Sequence, residues 1–195
     1  MGIDKAQLIF QGQTFLERVV RHTRQACGQI VLVGDIDFSK HNLPAEIVIA
    51  GDEQVGKGPL EGIRVGLKQL AKQFQHAFVT SCDVPLLRPE LIGFLFEHIG
   101  DHQAVVPIEN SRVFGMTAIY QTELHQAIEQ RIANEQLRVS DLASAFATNR
   151  IDVESLKVID PELDSLTNVN SAVDYLELLN RFGLECPEQF ARKFD

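Results

Sequence analysis

Three short segments of the chain carry polar residues where chemistry is expected, and the first centres on Asp83. It follows an apolar run, 76–80, with the composition of a buried strand. Pro85 holds the chain extended at this point, so the carboxylate is directed beyond the end of the strand. Such a carboxylate suits Mg²⁺, which takes one or two carboxylates together with phosphate oxygens. The alternative, a cap of the next helix, is weaker because that helix is predicted to begin only near Pro89.

The second segment is the loop 167–170 before the last long helix, with the sequence Thr-Asn-Val-Asn. Asn168 and Asn170 are two residues apart, so in extended chain both side chains lie on one face, as ligand contact requires. Alternatively, Asn170 or Ser171 is simply the N-cap of the helix that follows.

The third segment, 51–57, fits the phosphate-loop pattern G-x-x-x-x-G-K between a strand and a helix. A phosphate loop continues with Ser or Thr, whose hydroxyl binds magnesium, but here Gly58 follows. Asp52 and Glu53 also place two carboxylates where phosphates would lie, and their charge would repel a nucleotide tail. These differences argue against a phosphate-loop NTPase.

Gly58 and Pro59 suggest another use for the same loop. Proline suits the first position of a helix, and the free N–H groups of a helix N-terminus favour anions. A plain strand-to-helix turn accounts for the same residues equally well.

Apolar runs and turn residues predict the elements that position these segments. The predicted strands are 29–33, 46–50, 76–80, 103–107, 114–120 and 156–159. The predicted helices run from Thr14 to about Cys27, from Pro59 to about Phe74, from Pro89 to Ile99, from Thr122 to about Glu135, near 140–147, and from Ser171 to Phe182. Alternation of strands and helices predicts a mainly parallel sheet covered on both faces. Ligands of such sheets bind beyond the carboxyl ends of the strands.

The composition excludes several classes of protein. The 195 residues carry a net charge of −9, which opposes general binding to nucleic acid or to an anionic membrane. No apolar run is long enough to span a membrane, and no signal peptide is visible. The three cysteines lack metal-ligand spacing, so we expect reduced thiols in a cytoplasmic protein. We expect one domain over 1–195, with 183–195 as a peripheral tail.

In their order and spacing, four motifs together resemble the molybdenum cofactor guanylyltransferases, the MobA-type nucleotidyltransferases. Members begin with a strand ending in L-A-G-G-x-S-x-R-M-G-x-D-K-x-x-L, and residues 1–8, MGIDKAQL, match its second half. The chain has GPLEGI at 58–63 for the family's G-P-L-A-G-[IM] and CDVP at 82–85 for C-D-x-P. NVNS at 168–171 resembles N-[VI]-N-T. The similarity extends from residue 1 to about 182.

The resemblance implies a three-layer α/β/α Rossmann-like nucleotidyltransferase fold and the transfer of GMP from GTP to molybdopterin, releasing pyrophosphate. It implies that Lys5 and Gly58 contact the nucleotide, that Asp52 accepts hydrogen bonds from guanine, and that Asp83 binds Mg²⁺. Asn168 and Asn170 would orient the phosphates or the metal. The implied partners are GTP, molybdopterin or Mo-molybdopterin, and molybdoenzyme maturation proteins, with no nucleic acid or membrane, and the protein is expected to act as a monomer.

The family's first strand and its L-A-G-G-x-S-x-R loop have no counterpart in this sequence. We therefore expect the first strand of the sheet to be missing, two inner strand edges to lack partners, and Lys5 to be a mobile charge that contributes little affinity. Two alternatives stay open beside guanylyl transfer: cytidylyl transfer to the same cofactor, and a non-catalytic protein that binds nucleotide or pterin.

Overall fold

The computed structural model describes residues 4–35, 37–188 and 190. Helices and strands alternate over this range, as the apolar runs predict. The helices are α1 Phe15–Thr23, α2 Pro59–Leu70, α3 Pro89–Glu97, α4 Leu124–Ala133, α5 Leu142–Ala145, α6 Val153–Leu156 and α7 Ala172–Arg181. The strands are β1 Ile9–Phe10, β2 Gln13–Thr14, β3 Val31–Val33, β4 Val48–Ala50, β5 His76–Thr80, β6 Ala104–Glu109, β7 Arg112–Val113, β8 Thr117–Gln121 and β9 Thr148–Asp152. The matched residues Met1, Gly2 and Ile3 lie outside the described residues.

The largest sheet is mixed. In order across the sheet, β5 pairs with β8 and β8 with β6, both antiparallel, whereas β6 pairs with β9 in parallel. Strands β5, β6 and β9 therefore run in one direction, with β8 inserted against them. Strand β7 also pairs antiparallel with β6, so the sheet that was predicted as mainly parallel is mixed.

Two helical layers cover this sheet because successive side chains of a strand point to opposite faces. On β6, Ala104 and Val106 pack with residues of α2 and α4, whereas Val105 packs with α1, α3 and α6. Strand β8 divides in the same way, with Ala118 and Tyr120 on the first face and Ile119 on the second. The three-layer α/β/α arrangement predicted from the resemblance is confirmed.

An apolar groove of about 710 Å³ separates the large sheet from a parallel pair formed by β3 and β4. Its walls include β3, β5 and the facing sides of α1 and α2. Within the described residues β3 pairs only with β4, and β5 pairs only with β8, so one edge of each strand is left without a ladder. Two unpaired strand edges were expected from the sequence.

A smaller third core surrounds the first described residues. Leu8 and Phe10 are fully buried against Tyr175 of α7, and Phe190 packs on the same side. The predicted tail thus touches the fold at Phe190, while residues 191–195 lie outside the described range. Among the described residues no helix is both long and apolar enough to cross a membrane.

One predicted strand is wrong. Residues 156–159 end α6 and continue into a turn, because the Asp152 side chain caps that helix by accepting from the N–H of Glu154. Val158 is 88% exposed, so this apolar run faces solvent instead of the core. The strand lies just before it, at β9, where Ile151 is the one buried residue.

Several predicted boundaries also move. Helix α1 stops at Thr23 and α2 at Leu70, and β8 begins only at Thr117. Thr122 does not cap α4; its hydroxyl donates to the carbonyl of Phe74 at 2.6 Å, and Glu123 is the N-cap.

Candidate active site

Lys5 is held on an ordered segment. It begins a single 3₁₀ turn, Lys5–Gln7, which Asp4 caps by accepting from the N–H of Ala6 at 3.0 Å. The next residues are anchored, since the Tyr175 hydroxyl donates to the carbonyl of Ile9 at 2.6 Å. The expectation of a mobile charge is therefore wrong, because a capped turn and a buried core fix the backbone on which Lys5 lies.

Asp83 lies just beyond β5 and does not cap a helix. The N-cap of α3 is Arg88, five residues later. The Asp83 carbonyl accepts from the N–H of Val169 at 2.8 Å, so the loop before α7 is bound to the segment that follows β5. This backbone bond brings the first two sequence segments side by side.

The Asp83 carboxylate is the centre of a polar cluster. The Lys5 Nζ donates to Asp83 Oδ2 at 3.1 Å and to Asn170 Oδ1 at 2.7 Å. Asn168 Nδ2 donates to Asp83 Oδ1 at 2.7 Å, and the Ser81 hydroxyl donates to the same oxygen. Lys5 and Asp83 are 31% and 13% exposed, so the cluster is accessible but largely shielded. Three hydrogen bonds thus fix the orientation of the carboxylate.

The N-cap of α7 is Ser171, which leaves Asn170 free for the cluster. Ser171 accepts from the N–H of Asp174 at 3.1 Å, completing a capping box. Asp174 in turn accepts from the N–H groups of Asn170 and Ser171. The hydrogen bond with the Ser171 side chain first, and then these two backbone bonds, lower the pKa of its carboxyl. The negative charge at this helix start also matches the helix dipole.

Asp52 and Gly58 belong to a separate loop between β4 and α2. Burial raises the pKa of Asp52, and the nearby carboxylates of Asp35 and Glu61 raise it further. Gly58 has φ +67° and ψ −158°, a conformation that side chains rarely adopt, and it precedes the proline that opens α2. Within the described residues no hydrogen bond or ion pair joins either residue to the Asp83 cluster.

Sequence reasoning gave no role to Ser81 and Asp174, which orient the cluster. A hydroxyl two residues before a strand-end carboxylate was one available signal, since alternate residues of an extended chain share a face. Asp174 had a second signal, three residues after Ser171, because an acidic residue at that spacing completes a capping box.

The oxygen atoms of the cluster are suited to bind a single hard cation. Asp83 and Asn170 present oxygen atoms, the ligand type that Mg²⁺ prefers, and one carboxylate suffices when phosphates supply further oxygens. In the described part of the chain no three His, Cys, Asp or Glu side chains converge to hold an ion by themselves.

A polar cluster beyond the carboxyl end of a strand, in a sheet covered on both faces, is the arrangement with which α/β proteins bind their ligands. The family model that describes the MobA-like NTP transferase domain matches residues 1–146. The chain belongs to this family of nucleotidyltransferases.

Relatives and solved structures agree with that assignment. The chain is 32% identical over 185 residues to a probable molybdenum cofactor guanylyltransferase of Methanosarcina acetivorans, covering 88% of this chain and 80% of the relative. The structure resembles molybdopterin-guanine dinucleotide biosynthesis protein A from Archaeoglobus fulgidus, with a TM-score of 0.76, 22% identity, and coverage of 93% and 92%. It also resembles 2-C-methyl-D-erythritol 4-phosphate cytidylyltransferase from Thermus thermophilus, with a TM-score of 0.62, 16% identity, and coverage of 91% and 93%.

Proposed function

We propose that this protein transfers GMP from GTP to the terminal phosphate of molybdopterin and releases pyrophosphate. The observation that carries the proposal is the Lys5–Asp83–Asn170 cluster. It combines a lysine ammonium group with oxygen atoms that can bind a metal, beyond the end of a strand in a nucleotidyltransferase fold. The relative from Methanosarcina acetivorans, which bears the name of this activity, supports the choice of substrates.

The reaction is a displacement at the α-phosphorus of GTP. An oxygen of the acceptor phosphate forms a bond to that phosphorus, the bond to the bridging oxygen breaks, and pyrophosphate leaves with the electron pair. Such reactions require mainly positioning and charge neutralisation. Lys5 supplies a compact positive charge for the triphosphate, and Asn168 and Asn170 orient the phosphates.

Asp83 and Asn170 are the residues that would hold magnesium. Once bound, the ion would neutralise phosphate oxygens and stabilise the charge that develops during the reaction. The Lys5 ammonium contacts Asp83 Oδ2, and it would be available to the nucleotide phosphates when that carboxylate held the metal instead.

Asp52 and Gly58 would bind the rest of the nucleotide. A carboxylate can accept from both N1–H and N2–H of guanine, and adenine lacks this pair of donors. The N–H groups at the start of α2, next to Gly58, favour the negative charge of the nucleotide.

Pyrophosphate release tests the function directly. The protein, Mg²⁺ and molybdopterin are incubated with GTP, CTP or ATP, and omission of molybdopterin is the control. We expect release with GTP that depends on molybdopterin and stops on chelation of the metal. Pyrophosphate release with CTP but not with GTP would identify a cytidylyltransferase. Nucleotide binding without any release would indicate a non-catalytic protein.

A further inference from the structure

A buried carboxylate lies inside the loop that carries Asp52. Glu61, in the first turn of α2, has no exposed surface. Its Oε1 accepts from the N–H groups of Glu53 and Gln54, both at 3.0 Å. Burying a carboxylate is costly unless it is paired and hydrogen-bonded, so these bonds show that the loop is built around this side chain.

Arg64 supplies the charge that Glu61 needs. It is 1% exposed and donates from Nε to Glu61 Oε2 and from its terminal nitrogen to Oε1, both at 2.8 Å. This bidentate geometry is the strongest kind of arginine–carboxylate pair. The hydrogen bonds from Arg64 lower the pKa of Glu61, which keeps the carboxylate ionised at neutral pH.

The same arginine also fixes the side chain of Glu53. Arg64 donates to Glu53 Oε2 at 2.8 Å, and Lys68 donates to both oxygens at 2.8 and 3.0 Å. Hydrogen bonds from Lys68 first and Arg64 second lower the pKa of Glu53 to about 2. Both the backbone and the side chain of Glu53 are thus bound to α2, directly beside Asp52.

Glu61 also explains why the phosphate-loop pattern at 51–57 does not form a phosphate site. Successive backbone N–H groups in a turn attract anions, and here the N–H groups of Glu53 and Gln54 already bind the carboxylate. The anion is part of the protein. The family pattern carries alanine at this position, so this chain departs from it here.

The geometry points to Glu61 as a positioning residue for nucleotide selection. Together with Arg64 it holds the loop 51–58 so that Asp52 is directed at the purine base, and it keeps phosphate from the N–H groups of Glu53 and Gln54. This inference rests on the proposed function, in which Asp52 recognises guanine.

The test compares Glu61→Ala and Glu61→Gln with Asp160→Ala, a matched control from another part of the fold. Asp160 is 1% exposed, accepts from the N–H groups of Asp164 and Ser165, and pairs with Arg88 at 3.2 Å. Asp160→Ala therefore removes the same kinds of bonds as Glu61→Ala, two hydrogen bonds from N–H groups and an ion pair with an arginine. Amide hydrogen exchange at Glu53 and Gln54 reports loop order, and titrations with GTP and ATP report base preference.

We expect Glu61→Ala to speed hydrogen exchange of both amides about tenfold or more. The affinity for GTP should fall about tenfold while the affinity for ATP changes little, as the loss of an ionic hydrogen-bond network implies. Glu61→Gln should be intermediate, because its carbonyl still accepts from the two N–H groups while its NH₂ faces Arg64. Asp160→Ala should lower stability and keep the guanine preference.

An unchanged preference for GTP in both Glu61 variants, with amide exchange as in the unmodified protein, would overturn the inference. Faster exchange with unchanged preference would limit Glu61 to a structural role and also overturn it. If the unmodified protein shows no guanine preference, the proposed function fails first, and this result is distinguishable because it appears before any substitution is made.

Discussion

Asp83 is the residue on which the cluster depends, because Lys5, Asn168 and Ser81 all donate to its carboxylate. We expect Asp83→Asn to leave the fold intact, since the amide has the same shape and its oxygen can still accept from Asn168 and Ser81. Turnover should fall by about two orders of magnitude or more, as expected for the loss of a metal ligand. Magnesium-dependent pyrophosphate release at the original rate in this variant would remove Asp83 from the site.

Asp52 offers a second test at the residue scale. We expect Asp52→Ala to weaken the binding of GTP more than the binding of molybdopterin, because the carboxylate is proposed to accept two hydrogen bonds from guanine. Together these bonds correspond to about tenfold or more in affinity. Calorimetric titration of both ligands measures the difference. Equal affinities for GTP before and after the change would show that Asp52 is only a partly buried charge.

The cluster shows how far sequence reasoning reaches at this scale. Asp83 and Asn170 were predicted from their own neighbourhoods, a strand end and a helix start. Their meeting with Lys5 was not derivable that way, because the contacting residues are 78 and 165 positions apart. The motif order implied that these residues share a site, and the structure supplies the contacts.

At the scale of elements, predictions from apolar runs succeeded where the run lies inside a strand. Strand β5 was predicted with its observed limits because residues 77–79 form such a run between His76 and Thr80. Strand β9 was missed because its sequence, TNRID, offers no apolar run. The exposed Val158 misled the prediction toward 156–159, since residue type alone does not reveal which apolar run faces solvent.

Helix α1 carries an acid-sensitive residue, His22. Burial first, and then the charges of Arg18 and Arg21, lower its pKa to about 4, although Glu90 acts in the opposite direction. An unfolded histidine has a pKa near 6.5. Between these values the unfolded chain binds more protons, so stability falls as the pH drops through this window.

We therefore expect His22→Gln to reduce acid sensitivity. Urea denaturation at pH 7.5 and at pH 4.5 measures how much unfolding free energy is lost between these two values. This loss should be about 2 kcal/mol smaller in the variant than in the unmodified protein. His102→Gln, at an exposed histidine after α3, controls for the removal of an imidazole. An equal acid loss in the His22 variant and the unmodified protein would show that His22 is protonated as easily in the fold as outside it.

For the whole molecule, the groove between β3 and β5 is the feature with the largest expected effect on stability. It is apolar and bordered by two edges without ladders. We expect an extension before Met1 that carries an apolar strand and L-A-G-G-x-S-x-R to raise the melting temperature by about 5 °C or more, as a few kcal/mol would in a chain of this size. It should also tighten GTP binding, because the loop adds N–H donors near Lys5.

Melting curves and GTP titrations of the extended and original chains measure both effects. An extension of equal length in which glycine and serine replace the apolar strand residues is the control. If the original chain binds GTP as tightly as the extended one, the donors of that loop are dispensable and Lys5 suffices in its present setting.

The separation of β3 and β4 from the large sheet has a further consequence for how the protein opens. These two strands hydrogen-bond only to each other among the described strands, yet they precede and carry the Asp52 loop. Opening this unit breaks few ladder bonds, so it requires less free energy than global unfolding. The apparent dissociation constant for GTP equals the intrinsic one divided by the closed fraction. Amide hydrogen exchange of the β3 residues Val31–Val33 would report the open fraction, and saturating GTP should slow that exchange.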